Sequence, residues 1–185
     1  MKFNNHKNLA GKHAIFTASK PSWLNYSEDA FKDAYWRATA ATRGTDLHNY
    51  AEQAIRLKQR QPNCEKTLCM HINDAIKYDM SPEVVLYHSE NFYGTADAIR
   101  YFEKERVLRI HDLKTGTGKV HPEQLKVYAA LFCLEYYKDP YKMSFILQIY
   151  QNDEIMDIPC SSEEVDHIMQ VIKMGDTIVS SIKED

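Results

Sequence analysis

Apolar positions recur at two different spacings along this chain. From Ser27 to about Tyr78 they return every three or four residues, the period of helices packed on one face. Ser27-Glu28-Asp29 opens a predicted helix to about 41, with Phe31, Ala34, Tyr35 and Ala38 on one side. Gly44 is read as a break. A second helix then starts at Thr45 or Asp46 and runs to about Gln59, burying Leu47, Ala51, Ala54 and Ile55. Pro62 stops it, and a third covers 65–78 with Leu68, Ile72 and Ile76 inside. Upstream, 14–18 reads as a short strand, and Ser22 as the cap of a helical turn holding Trp23 and Leu24.

Past Pro82 the pattern changes to apolar runs and alternation. Segments 84–88, 92–102, 107–113, 143–151 and 154–160 read as strands. Helices are expected from His121 to about Tyr137 and from Ser161 onward. Helices, three strands, helix, two strands, helix is the order of an α/β sandwich, a mixed sheet with helices on both faces. At 185 residues the chain suits one domain, 1–185, with 1–42 as an N-terminal extension packing on the core.

The runs 92–102 and 107–113 flank the charged tetrad Glu103-Lys104-Glu105-Arg106, which suggests a hairpin. If Glu103 faces Arg106, counting back pairs Asp97 with Asp112, and any even-length loop about that centre keeps the pairing. Lys114, two residues on, shares the face of Asp112. Like charges directly opposite destabilise a strand pair. A hard divalent cation between them is the simplest reason to keep both. Gln124 and Tyr128, at i and i+4, share a face of the helix that follows. His48 lies at the edge of a buried helical stripe, with Glu52 one turn on, so the two could reach one metal or each other.

Charge changes the picture locally. The net charge of −3 argues against general nucleic-acid binding, yet residues 1–60 carry ten Lys/Arg against five Asp/Glu. A basic third of that kind allows a phosphate-facing surface, and Trp23, Tyr26, Tyr35 and Trp36 within it could stack on single-stranded bases. No segment has the apolar length of a signal peptide or a membrane span, so a cytoplasmic protein with no membrane partner is expected. Cys64, Cys69, Cys133 and Cys160 are then expected as reduced thiols. A zinc site at Cys64, Cys69 and His71 lacks a fourth ligand. Thr115-Gly116-Thr117-Gly118-Lys119 resembles the end of a P-loop but has Leu113 and Val120 where that motif needs Gly and Ser or Thr. Its glycines read as the bend between strand and helix.

Taken in order, R-G-T-D-L-H (43–48), G-T-A-D (94–97), D-L-K-T-G (112–116) and Q-L-K-V-Y-A (124–129) resemble the motifs of the RecB-like exonuclease branch of the PD-(D/E)XK nucleases. That branch includes the RecB nuclease domain, CRISPR-associated RecB-like exonucleases and lambda exonuclease. The resemblance implies a restriction-endonuclease-like fold, a mixed central β-sheet flanked by α-helices. It implies a metal-dependent DNA nuclease, an exonuclease of recombination, repair or phage DNA processing, with a structure-selective or nicking endonuclease and a catalytically silent DNA-binding module as alternatives. Asp97, Asp112, the Leu113 carbonyl and His48 would hold Mg²⁺ or Mn²⁺, with Glu52 as an additional ligand. Lys114 would be the catalytic lysine, and Gln124 with Tyr128 the pair contacting phosphate or substrate. Ala96 stands where the family name has proline. The cysteine spacing does not suit the iron–sulfur cluster of some relatives, and none is expected. Implied partners are DNA, single-stranded or with free ends, and either further copies of the chain or a recombination or replication protein.

Overall fold

The computed structural model describes residues 16, 21–62 and 64–184, without the side chains of 41, 42, 183 and 184. The chain divides into two compact units, Met1–Thr45 and Asp46–Asp185, and the expected strand at 14–18 lies, apart from Phe16, outside the described residues. In the first unit a 3-10 turn, Pro21–Asn25, precedes the start of helix α1, Glu28–Arg56. Ser27 caps it: its Oγ accepts the Ala30 N–H at 3.2 Å. Phe31 meets Phe16 and Tyr26 edge-on, at ring-centroid distances of 5.0 and 5.5 Å.

The expected break at Gly44 does not occur, because α1 is one helix through that position. A single glycine costs a helix about 1 kcal/mol relative to alanine. The surrounding good helix formers, alanines foremost, offset that cost.

The second unit carries a mixed five-stranded sheet flanked by helices. Its strands are β1 Ser81–Ser89, β2 Phe92–Phe102, β3 Val107–Leu113, β4 Ser144–Gln151 and β5 Glu154–Ile158, lying side by side in chain order. All neighbours are antiparallel except β3 and β4, which run parallel. A parallel pair needs a long crossover, and helix α3, Glu123–Glu135, supplies it. Helix α2, Thr67–Lys77, precedes the sheet, and helix α4, Ser162–Glu184, closes the chain.

One core cluster joins α3 and α4 to the sheet through Leu86, Leu108, Ile110, Leu125, Leu147 and Val165. Because α3 lies between sheet and α4, it is buried nearly all round from Leu125 to Cys133. A second cluster joins α1 and α2 to the sheet through Ala51, Ile55, Ile72, Ala98, Leu113 and Tyr150. Among the described residues no helix is long and apolar enough to cross a membrane.

Cys64 and Cys69 are disulfide-bonded, not reduced as expected, with their Cα atoms 6.1 Å apart. Cys64 lies in the segment leading into α2 and Cys69 in its first turn, which puts them within bridging reach. Cys133 and Cys160 are free thiols.

Candidate active site

Two hairpins and two helices build the site, all within the second unit. The β2–β3 hairpin closes through 103–106, with Phe102 opposite Val107 and Ala98 opposite His111. The paired ladder ends there, and extending its register by one step sets Asp97 against Asp112. The loop has four residues about the centre read from the sequence, so the register is the expected one, although its paired ladder stops one step short of the two aspartates. Here the Leu113 N–H donates to Asp97 Oδ2 at 2.7 Å. The aspartate side chain accepts the donor at the point where the ladder with β3 ends.

β2 also turns over at this point. Ala96 packs in the cluster with Leu86 and Tyr128, whereas Ala98 packs in the other, with Met80 and Tyr150. Residues two apart on a regular strand share a face. The irregularity is therefore at Asp97, and opposite it on β1 stands Glu83, whose φ is 49°. A left-handed backbone at a glutamate is uncommon, and such local distortions re-aim side chains.

The result is a cluster that the sequence reading had only in part. His48 of α1, Glu83 of β1 and Asp97 of β2 each offer a ligand atom, all within 4.8 Å of one another. His48 Nδ1 lies 3.5 Å from Asp97 Oδ1. Glu83 was not among the expected residues, since the first strand was read as starting at Val84. The β1–β2 register of the fold, Leu86 opposite Gly94 and Val84 opposite Ala96, sets Glu83 against Asp97.

A chain of polar contacts continues from Asp112, which is 2% exposed. Lys114 Nζ donates to Asp112 Oδ1 at 3.1 Å and sits 2.9 Å from Oδ2. It also donates to Gln124 Oε1 at 3.0 Å, and Gln124 Nε2 donates to the Tyr128 hydroxyl oxygen at 2.7 Å. Gly94 lets the Tyr128 ring approach, since a Cβ there would stand 2.8 Å from Cε1. Expected residues Asp97, Asp112, Lys114, Gln124, Tyr128 and His48 thus converge. Leu113 enters through its N–H. Glu52 is engaged elsewhere: its Oε1 accepts from Arg56 Nε at 2.9 Å.

Electrostatics give the site its character. Burial and the neighbouring Asp97 charge push the Asp112 carboxyl above its ordinary range, against the pull of Lys114. Burial and Asp97 raise Glu83 likewise. Burial acts to raise Asp97 too, but His48 and the Leu113 N–H hold it below the usual value. His48 in turn is raised, first by its contact with Asp97. Glu83 and Asp112 each feel the charge of Asp97 and resist ionisation, while Asp97 itself is held ionised by His48 beside it.

A divalent metal fits these residues. His48, Glu83 and Asp97 bring one ligand atom each to within 4.8 Å of the others, and the donors gathered around Asp97 are carboxylate oxygens and one imidazole. Oxygen ligands suit Mg²⁺ and Mn²⁺, and the imidazole shifts the preference toward Mn²⁺.

Comparison of the chain with protein-family models, curated proteins and solved structures returns no match. The functional reading therefore rests on the site itself.

Proposed function

We propose that the chain is a divalent-metal-dependent deoxyribonuclease that hydrolyses phosphodiester bonds from DNA ends, built on a restriction-endonuclease-like fold of the RecB-like PD-(D/E)XK type. One observation carries this reading: Asp97 and Asp112 from adjacent strands converge beside Lys114, which Gln124 steadies. The parallel β3–β4 pair bridged by α3 supports the fold assignment.

Asp97, Asp112, Glu83 and His48 are the residues that would hold the metal, Mg²⁺ or Mn²⁺. Bound there, such an ion supplies an acidified water and a Lewis acid for phosphate oxygens. The protein's own groups do the rest. An ammonium has three N–H donors, of which Asp112 and Gln124 take two, leaving one for a phosphate oxygen or the attacking water. Lys114 thereby offsets negative charge that develops on the phosphate. Tyr128 fixes the Gln124 amide, so the lysine keeps its aim.

The test is digestion of linear and covalently closed circular DNA with Mn²⁺ or Mg²⁺ and with EDTA. Loss of linear DNA alone is expected. Loss of both forms makes the chain an endonuclease. Survival of both makes it a binding module without chemistry and overturns the proposal.

A further inference from the structure

The segment Thr115–Lys119 is not used by the chemistry above, and neither of its two described glycines is required by packing to be glycine. A Cβ at Gly116 or at Gly118 would meet no atom within 4 Å, and neither residue lies in the left-handed φ range. Besides forming the bend between strand and helix, glycine at such an open position permits close approach of something external to the backbone. The segment is also held in place. Gln151, 8% exposed, donates through Nε2 to the carbonyl oxygens of Gly116 at 2.6 Å and Gly118 at 2.9 Å. A buried amide spent on two loop carbonyls fixes an exposed loop rather than a core.

Gly116 borders a cavity of about 360 Å³ that opens beside Lys114. Its walls differ in kind. Leu47, Leu68 and Leu113 give it apolar lining, and Thr115 and Thr117 line it as residues that carry hydroxyls. That size is at the lower end of the roughly 300–1,000 Å³ range of small-molecule sites. An apolar wall facing hydroxyls next to a lysine ammonium matches a nucleoside with its phosphate: base on the leucines, sugar and phosphate on the threonines. The acidic side chain at the rim, Asp153, is neutralised by Lys66 at 2.7 Å, so it does not repel an anion.

We infer that this cavity is a nucleotide subsite, seating the residue of the DNA strand next to the bond that is cut, with Gly116 as the point of closest approach. The inference rests on the proposed nuclease reading for the identity of its occupant. Its walls offer no aromatic plane and no amide side chain aimed at a base edge beyond Asn152, so the subsite holds any base.

The two glycines provide their own control, because Gly116 borders the cavity and Gly118 does not. The experiment measures binding of a fluorescein-labelled pentathymidylate by anisotropy in EDTA, where cleavage is off, and KM on longer single strands with Mn²⁺. It uses the wild-type chain, Gly116→Val and Gly118→Val. Both variants should melt with the wild type, since a Cβ at either position has open space around it. Gly116→Val is expected to weaken binding and raise KM about tenfold, and Gly118→Val to change either less than twofold. Equal behaviour of the two variants, or no oligonucleotide binding by the wild-type chain up to 1 mM, overturns the subsite. Cleavage by a wild-type chain whose Gly116→Val variant is unaltered removes the subsite and leaves the nuclease reading. Binding that depends on Gly116 without cleavage removes the nuclease reading and leaves the subsite.

Discussion

Asp112 and Lys114 share a hydrogen bond but act on stability in opposite directions. Asp112 is buried, and burial with the neighbouring Asp97 charge pushes its carboxyl above the ordinary range against the pull of Lys114, so its charge is a net cost to the metal-free fold despite the lysine. Asp112→Asn removes that charge at constant shape, and should abolish the proposed cleavage and raise the melting temperature of the metal-free protein. A gain of 1 kcal/mol corresponds to about 2–4 °C at this chain length. Lys114→Ala should also abolish the proposed cleavage, but it leaves the carboxylate buried without its partner and should lower the melting temperature. Scanning calorimetry in EDTA reads both; a fall in the Asp112→Asn variant would contradict the crowding of acids derived above. The sequence made Asp97, Asp112 and Lys114 legible because a hairpin centre fixes a register by counting. It hid Glu83, because a proline just before it suggested that the strand began later and because its left-handed backbone has no sequence marker.

Helix α2 was readable from its three-and-four spacing, yet what it buries was not. Its inward face carries His71, 1% exposed, with neither ring nitrogen hydrogen-bonded. The ring packs against Tyr150 of β4 and His111 of β3, at centroid distances of 5.3 and 6.3 Å. Asp74, on the same helix, accepts the Tyr150 hydroxyl at 2.9 Å. Burial lowers His71 to about 4, with the charge of Asp97 opposing and that of His48 adding to the fall. The same effect, burial first, takes His111 to about 2. A histidine neutral in the fold but free to protonate when unfolded stabilises fully above the unfolded value of 6.5. That contribution is lost as pH falls from there toward 4. His71→Phe keeps a ring of similar size and removes the proton uptake. Between pH 7 and pH 5 it should lose about 2 kcal/mol less stability than the wild type, measured by urea unfolding at each pH. Equal losses would mean that His71 is hydrated or already partnered. The merged α1 makes the same point about elements: a glycine reads as punctuation, while neighbouring propensities and packing decide whether the helix continues.

At the scale of the second unit, the sheet converts residues far apart in the chain into one acidic centre. Helix α1 brings His48, three successive antiparallel strands bring Glu83, Asp97 and Asp112, and the α3 crossover brings Gln124 and Tyr128. The alternation of strands and helices made this mixed sheet legible. The order of four weak motifs suggested a nuclease, but the donor set emerged only with the β1–β2 register and the distortion at Asp97. Because these carboxylates repel one another in the metal-free protein, a cation that binds the folded state alone must stabilise it. At a concentration a hundred times its dissociation constant the gain is about 2.7 kcal/mol, or about 5–10 °C for a chain of this size. Mn²⁺ titrated into the wild-type protein should raise its melting temperature by that amount, with no DNA present. Glu83→Gln and Asp97→Asn should each flatten the response, whereas Glu52→Gln, whose carboxylate Arg56 already holds, should leave it intact. A rise that survives in Glu83→Gln would put the ion away from the β1–β2 distortion. A response lost equally in Glu52→Gln would move the centre toward α1, since the acids of the sheet would then no longer be what the ion sees.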